Sequence, residues 1–173
     1  MAIFAPDEVD WQRVDYYAIA THGLACIPEV HAKDCRRWLA GRRYRIVEVD
    51  CASGFSSVCK RISDLCGWVE QFGYEYQGHS LDALRDGFAF EIPEDGGLVL
   101  ELERPDILWR EHRRWVAGLL EIASEHSRVQ LAAGRRFFAT LIVPPDAEMI
   151  GTTLFDVGVP ACWSLPGPQP PFR

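Results

Sequence analysis

The chain has 173 residues, of which 48% are hydrophobic and 25% charged, and its formal net charge is −7. This composition is typical of a globular protein, and the length suits one domain with extensions. No apolar run approaches the ~20 residues that a membrane-spanning helix needs, and the acidic N-terminus has no signal-peptide pattern. We therefore expect a cytoplasmic protein with no membrane partner.

The first 43 residues predict an N-terminal extension made of a hairpin and a helix. Two short apolar runs, Tyr16–Ala20 and Gly23–Ile27, predict the two strands of the hairpin. Pro28 suits the first turn of a helix, which we expect to end near Gly41. The apolar stripe predicted for this helix consists of Val30, Cys35, Trp38 and Leu39.

Residues 44–143 predict the core of the domain, because strands and helices alternate there. The predicted strands are 44–50, 98–103 and 137–143, and the predicted helices are 56–72, 81–88 and 109–125. This alternation predicts an α/β fold with a small parallel sheet of three strands and helices packed on it.

The helix 56–72 is predicted from apolar residues that recur every three or four positions, with Ser56 or Ser57 suited to cap its N-terminus. Its buried face is predicted to consist of Val58, Ile62, Leu65, Val69 and Phe72. Ser80 is suited to cap the next helix in the same way.

Residues 144–173 predict a C-terminal extension. The runs 152–155 and 161–165 predict an edge hairpin, and the proline-rich residues 166–173 predict a tail without regular structure.

Six cysteines are present, but without a secretory signal we expect them to be reduced and mostly buried. They are Cys26, Cys35, Cys51, Cys59, Cys66 and Cys162. None of them are spaced as Cys-x-x-Cys, and no two His/Cys pairs have matching spacing, so we predict no metal and no cofactor.

The acidity of the chain is concentrated between Glu70 and Glu111. Eleven acidic residues against three arginines give this segment a net charge of −8, so the remainder of the chain sums to +1. A local field of one sign repels phosphates, which argues against direct nucleic-acid binding and favours a basic protein partner.

The run Tyr76–Phe88 places two carboxylates on one exposed face of a predicted helix. Asp82 and Asp86 are one turn apart, so their side chains lie side by side, opposite Leu81 and Leu84. They are either solvated charges near a helix N-terminus, a catalytic acid/base pair, or an anionic ridge for a cationic pocket. A catalytic pair needs a concave, partly dry site, so a short exposed helix favours the binding interpretation.

The pattern Tyr-x-Gly-x-x-Leu-Asp-Ala-Leu-x-Asp, from Tyr76 to Asp86, resembles the barstar family of intracellular ribonuclease inhibitors. The order of the predicted elements between residues 44 and 143 is similar too, so the resemblance covers about 100 of the 173 residues. It implies that a helix and its preceding loop enter the active site of a basic ribonuclease, where carboxylates take the place of the substrate's phosphates.

The resemblance implies a partner-binding set in which Asp86 is the leading phosphate mimic. This set consists of Tyr76, Gly78, Asp82, Arg85, Asp86, Glu121 and Glu125, the last two on the helix 109–125. The implied protein is a bacterial immunity protein or antitoxin-like inhibitor without enzymatic activity. It would be monomeric when free and would bind a basic nuclease or toxin domain one to one.

Arg85 is a departure, because the family often has an aromatic residue at this position. A cation between two aspartates pairs with them and weakens their attraction for a cationic site, which implies a partner different from the founding ribonuclease. The extensions 1–43 and 144–173 also lie outside the minimal fold, where they either widen the sheet or add contacts.

The residues leave two other functions open. Cys59 and Cys66 could serve a small thiol-dependent enzyme, although their spacing of seven on a helix favours core packing. The acidic face could also serve a regulatory scaffold that binds a partner other than a nuclease.

Overall fold

The computed structural model of the chain describes residues 3–154 and 157–159, and its fold is α/β as predicted. Its helices are α1 (Val14–Ala20), α2 (Glu29–Gly41), α3 (Phe55–Leu65), α4 (Trp68–Phe72), α5 (Leu81–Gly87) and α6 (Pro105–Ala132). Its strands are β1 (Leu24–Pro28), β2 (Tyr44–Asp50), β3 (Gly97–Glu103), β4 (Arg136–Val143), β5 (Thr153–Leu154) and β6 (Val157–Gly158). The three strands predicted in the core are therefore confirmed to within one residue at each end.

The main sheet has four parallel strands in the order β1-β4-β3-β2. In its register, Ala139 of β4 lies between Leu24 of β1 and Leu100 of β3, and Leu100 is also paired with Val47 of β2. The two central strands are buried on both faces, which explains their nearly continuous apolar sequences.

The predicted N-terminal hairpin is wrong. Its first run is the helix α1, which buries Val14, Ala18 and Ile19 at helical spacing. Its second run is β1, which pairs in parallel with β4. His22 and Gly23 both have a φ of 76°, so the chain turns directly from the helix into the strand. The extension therefore widens the predicted three-stranded sheet to four strands.

The helices cover the two faces of the sheet as separate layers. On one face, α1 and α2 pack through residues such as Ala18, Cys35 and Leu39. On the other face, α3 to α6 form the larger core, which contains Trp68 and Trp109. The predicted candidate site belongs to this second layer.

Two predicted buried faces are partly wrong. Val30 in α2 is 79% exposed, because it precedes the buried Ala32 by two residues and so points away from it. The predicted helix 56–72 is broken by Gly67, which has a left-handed backbone with φ 59°. The break turns Trp68 into the core and leaves Val69 and Phe72 outside it. Gly54, rather than a serine, is the N-cap of α3.

The last helix of the core is longer than the predicted helix 109–125. It runs from Pro105 to Ala132 and contains one non-helical residue, His112, with φ −126° and ψ 36°. None of the helices in the described part of the chain is both long and apolar enough to cross a membrane.

The C-terminal extension contains a short antiparallel pair. Thr153 and Leu154 pair with Gly158 and Val157, so the first strand of the predicted edge hairpin has a nearer partner than predicted. The predicted second strand, 161–165, and the predicted tail, 166–173, lie outside the described residues.

Candidate functional site

The loop before α5 is fixed by the buried side chain of Tyr76. Its hydroxyl donates a hydrogen bond to the carbonyl of Ser80 at 3.0 Å and accepts one from the indole nitrogen of Trp115 at 3.2 Å. Its backbone N–H donates to the hydroxyl of Ser63 at 3.1 Å. Burial raises the pKa of Tyr76. The predicted contact residue Tyr76 thus lies inside the fold, where it positions the loop.

Gly78 allows the same loop to approach α3 closely. Its φ is 83°, and a Cβ atom there would lie 2.5 Å from Cζ of Phe55 and 2.6 Å from Sγ of Cys59. Both the backbone conformation and the available space therefore exclude a larger residue at this position. Gly78 shapes the loop, which explains its place in the motif.

The helix α5 is held at both ends. At its start, the Ser80 hydroxyl accepts a hydrogen bond from the Ala83 N–H at 3.1 Å, which confirms the predicted cap. The side chain of Leu81 lies where a Cβ on Gly118 of α6 would be. At its end, Gly87 lies against Trp68 and Phe72 of α4. The exposed side chains of α5 are therefore presented on a fixed backbone.

The exposed side of α5 carries Asp82, Arg85 and Asp86, as the sequence predicts. The Asp82 side chain is 96% exposed, and its Oδ1 lies 3.6 Å from a guanidinium nitrogen of Arg85. Asp86 is also exposed, and it makes no ion pair with any residue that the structure describes. Asp86 is therefore the acid of this face whose charge is least compensated.

The structure brings the two predicted acids of α6 to the same face. Oε2 of Glu125 accepts a hydrogen bond from Nε of Arg85 at 3.0 Å, and Oε2 of Glu121 lies 3.8 Å from another nitrogen of the same guanidinium. Arg85 therefore contacts three acids, Asp82, Glu121 and Glu125, and partly neutralises each of them.

An open groove of about 900 Å³ runs beside this face, between the loop before α5 and the first half of α6. Its charged lining residues are Asp82, Glu111 and Glu121, together with Arg85, Arg113 and Arg114. Three acids thus face three arginines, so the groove is of mixed charge. The sequence analysis missed Arg113 and Arg114 because its charge count ended at Glu111, just before these two arginines.

The acidic segment 70–111 does not form one patch in space. Glu101 and Glu103 lie on the opposite face of the sheet, where both bind Arg36 of α2, with 2.6 Å between Nε of Arg36 and Oε1 of Glu101. Asp106 is buried at the start of α6, near Arg110. The predicted single-sign field around α5 is therefore weaker than the sequence count of −8 implies.

Glu101 belongs to a cluster of three carboxylates, which could bind a cation. Oxygen atoms of Glu48, Glu101 and Glu103 lie within 4.8 Å of one another. Burial raises the pKa of Glu101, while the neighbouring Arg36 opposes that shift. The guanidinium of Arg36 pairs with two of these carboxylates, those of Glu101 and Glu103, and supplies the positive charge that accounts for them structurally.

The two cysteines considered for catalysis are buried among the helices of the larger core. Burial raises the pKa of Cys59 to about 11 and that of Cys66 to about 12. A nucleophilic cysteine needs a lowered pKa and access to solvent. These thiols therefore have the properties of packing residues.

No protein-family model, no curated protein and no solved structure matches this chain.

Proposed function

We propose that this chain is a barstar-like inhibitor or immunity protein that binds a basic ribonuclease or nuclease toxin and blocks its active site. The proposed contact face consists of the exposed side of α5 with the neighbouring acids of α6. The proposal involves no catalysis by the chain itself. Its resemblance to the barstar family rests on the motif from Tyr76 to Asp86 and on the order of the core elements.

The observation that carries the proposal is the state of Asp86. Its carboxylate is exposed, has no ion pair among the described residues, and stands on a helix that is fixed at both ends. A site that binds RNA phosphates must present cationic groups, and an arginine in such a site can pair bidentately with a carboxylate. Because the backbone of α5 is held in place, binding has to order only the Asp86 side chain and not the helix that carries it.

The other residues of the predicted set take supporting roles in this proposal. Tyr76 and Gly78 position the loop and the start of α5, so they act on the partner through Asp82 and Asp86. Glu121 and Glu125 add negative charge to the face, but they share the cation of Arg85. The proposed inhibitor therefore depends most on Asp86.

Arg85 also bears on the kind of partner. An inhibitor whose acids are partly neutralised attracts a cationic site less strongly at long range. This favours a diverged toxin domain, selected by close contacts, over a nuclease that is captured mainly by charge.

The test is inhibition of RNA cleavage by a panel of purified basic ribonucleases and nuclease toxin domains. The panel includes the product of the reading frame next to the gene for this chain. We expect the chain to inhibit one member and Asp86→Ala to weaken that binding by about 30-fold or more, as for a central interface residue. Asp7→Asn, which changes an exposed acid of the N-terminal segment, serves as the control.

Two results would contradict the proposal. If Asp86→Ala inhibits as strongly as the unchanged chain, the exposed side of α5 is not the contact face. A chain that binds none of the nucleases, but binds a protein of another kind through Asp86, would favour the regulatory scaffold.

A further inference from the structure

The helix α4 and Tyr74, two residues beyond its end, carry an exposed apolar patch beside the proposed contact face. Val69 is 45% exposed, Phe72 41% and Tyr74 50%, and we call these three residues the α4 patch. Val69 and Phe72 are exposed because the left-handed Gly67 breaks the preceding helix and buries Trp68 in their place. Neighbouring exposed apolar side chains, aromatic ones above all, are typical of protein interaction sites.

The α4 patch is continuous with the end of α5. A Cβ atom on Gly87 would lie 2.8 Å from Cε2 of Phe72, so these two residues are in direct contact. Gly87 follows Asp86 in the chain. A partner that covers the carboxylate of Asp86 therefore comes within reach of Phe72.

The helix α5 alone is too small to form a stable protein interface. A stable protein interface buries about 800 Å² on each partner and involves roughly 20–30 residues a side. The helix α5 has seven residues, of which Leu84 and Gly87 are buried, so it supplies only a small part of that surface. The remainder must come from its neighbours, α6 on one side or α4 on the other.

The two neighbours differ in what they present. On the α6 side, Glu121 and Glu125 already share the cation of Arg85 and lie beside a groove of mixed charge. On the α4 side, the apolar side chains of the α4 patch lie beside the exposed Glu70 and close to Asp86, which makes no ion pair with the described residues. Burial of exposed apolar surface stabilises a complex without the desolvation of charges that are already paired.

We propose that the α4 patch is the apolar half of the partner-binding face. The partner then presents apolar surface directly beside the cationic group that receives Asp86. This inference rests on the proposed function, because the occupant of the patch is the same basic nuclease or toxin domain.

The test compares matched serine substitutions in binding to the nuclease that the panel assay identifies. Val69→Ser and Tyr74→Ser are expected to raise Kd by about 5-fold to 10-fold each. Val30→Ser makes the same change at an exposed valine of α2, in the layer on the opposite face of the sheet, and is expected to leave Kd unchanged. Thermal unfolding of each variant checks that the fold is retained.

The salt dependence of binding distinguishes the charged half of the face from the apolar half. The loss caused by Asp86→Ala should shrink as ionic strength rises, whereas the loss caused by Val69→Ser should persist. Unchanged Kd in both Val69→Ser and Tyr74→Ser, together with weaker binding of Asp86→Ala, would overturn the inference and leave the proposed function intact. If no nuclease binds the chain, both the proposed function and this inference are wrong. A dimer of the free chain that Val69→Ser dissociates would also overturn it, since a second copy would then cover the patch.

Discussion

Nε of Arg85 donates a hydrogen bond to Oε2 of Glu125 at 3.0 Å, across 40 residues of sequence. The cation between the two aspartates of α5 is thereby bound to α6 and is shared among three acids. Asp86 makes no ion pair with the residues that the structure describes, whereas Asp82, Glu121 and Glu125 are partly compensated. Arg85 therefore determines how far the negative charges of Asp82, Glu121 and Glu125 are compensated.

Substitution of Arg85 by alanine should accelerate association with a cationic partner. It makes the face more negative by one charge and releases three carboxylates, so we expect the association rate at low salt to rise roughly threefold. The free energy of unfolding should change by less than ~1 kcal/mol, because the ion pairs are partly exposed. Stopped-flow binding to the inhibited nuclease measures the first effect, and urea unfolding the second.

Arg37→Ala is the control for that experiment. Arg37 pairs with Asp34 three residues away, as Arg85 does with Asp82, but it lies on α2 in the other layer. An equal acceleration in both variants would mean that net charge alone acts, and no acceleration in Arg85→Ala would contradict the role given to it.

Removal of the Tyr76 hydroxyl should destabilise the fold. Tyr76→Phe leaves the buried indole N–H of Trp115 without its acceptor. It also removes one of two donors to the Ser80 carbonyl, which keeps the hydrogen bond from the Leu84 N–H. We expect the free energy of unfolding to fall by about 1–3 kcal/mol. Tyr74→Phe, at a half-exposed tyrosine, should change it by less than ~0.5 kcal/mol. Equal effects in urea unfolding would show that the buried hydrogen bonds contribute nothing measurable.

Alanine substitutions at Gly78 and Gly134 distinguish the cost of backbone strain from the cost of steric overlap. Their φ values are 83° and 80°, but a Cβ at Gly78 would overlap Phe55 and Cys59, whereas nothing lies within 4 Å of one at Gly134. Gly134→Ala should therefore cost about 1 kcal/mol from backbone strain alone. Gly78→Ala should cost a further ~1–3 kcal/mol. Similar midpoints of chemical unfolding for the two variants would contradict the close approach of the loop to α3.

The order of the core elements was predictable because each has a strong local signal. The apolar run of β4 and the Ser80 cap of α5 can each be read within a few residues of sequence. The predicted ridge of Asp82 and Asp86 is local in the same sense, since it follows from the helical repeat.

What the sequence did not predict depends on contacts between distant residues. The pairing of Leu24 with Ala139 joins strands more than 100 residues apart, and nothing in either strand alone excludes a local hairpin. The partners of Arg85 on α6 and the separation of Glu101 from the acidic face are likewise set by the packing of the layers. A charge count along the chain therefore overestimated the field around α5.

Glu8 makes part of the stability dependent on pH. A hydrogen bond from the Ala5 N–H, with help from Arg13 and Arg136, lowers the pKa of Glu8 to about 2. Because the folded pKa lies below the unfolded value of 4.5, this stabilisation is present above pH 4.5 and is lost as the pH falls towards 2. Glu8→Gln should therefore lose about 1–2 kcal/mol at pH 7, and less as the pH is lowered.

Unfolding of Glu8→Gln and of the unchanged chain at pH 7, 4 and 2.5 measures this difference. Asp7→Asn is the neighbouring control, because Asp7 is exposed and has no ion pair within the described part of the chain. A difference that stays constant with pH would assign the effect of Glu8→Gln to packing instead of charge.

The buried thiols provide the test of the enzymatic alternative. With the pKa of Cys59 raised to about 11, its thiolate fraction at pH 7.5 is roughly 100-fold lower than that of an ordinary cysteine, and Cys66 is further suppressed. In a Cys162→Ser background, we expect the native chain to react with a disulfide reagent far more slowly than the unfolded chain. The rate should increase as the pH rises towards 11. Rapid modification of Cys59 at neutral pH, accompanied by loss of an activity, would favour a thiol-dependent enzyme over an inhibitor.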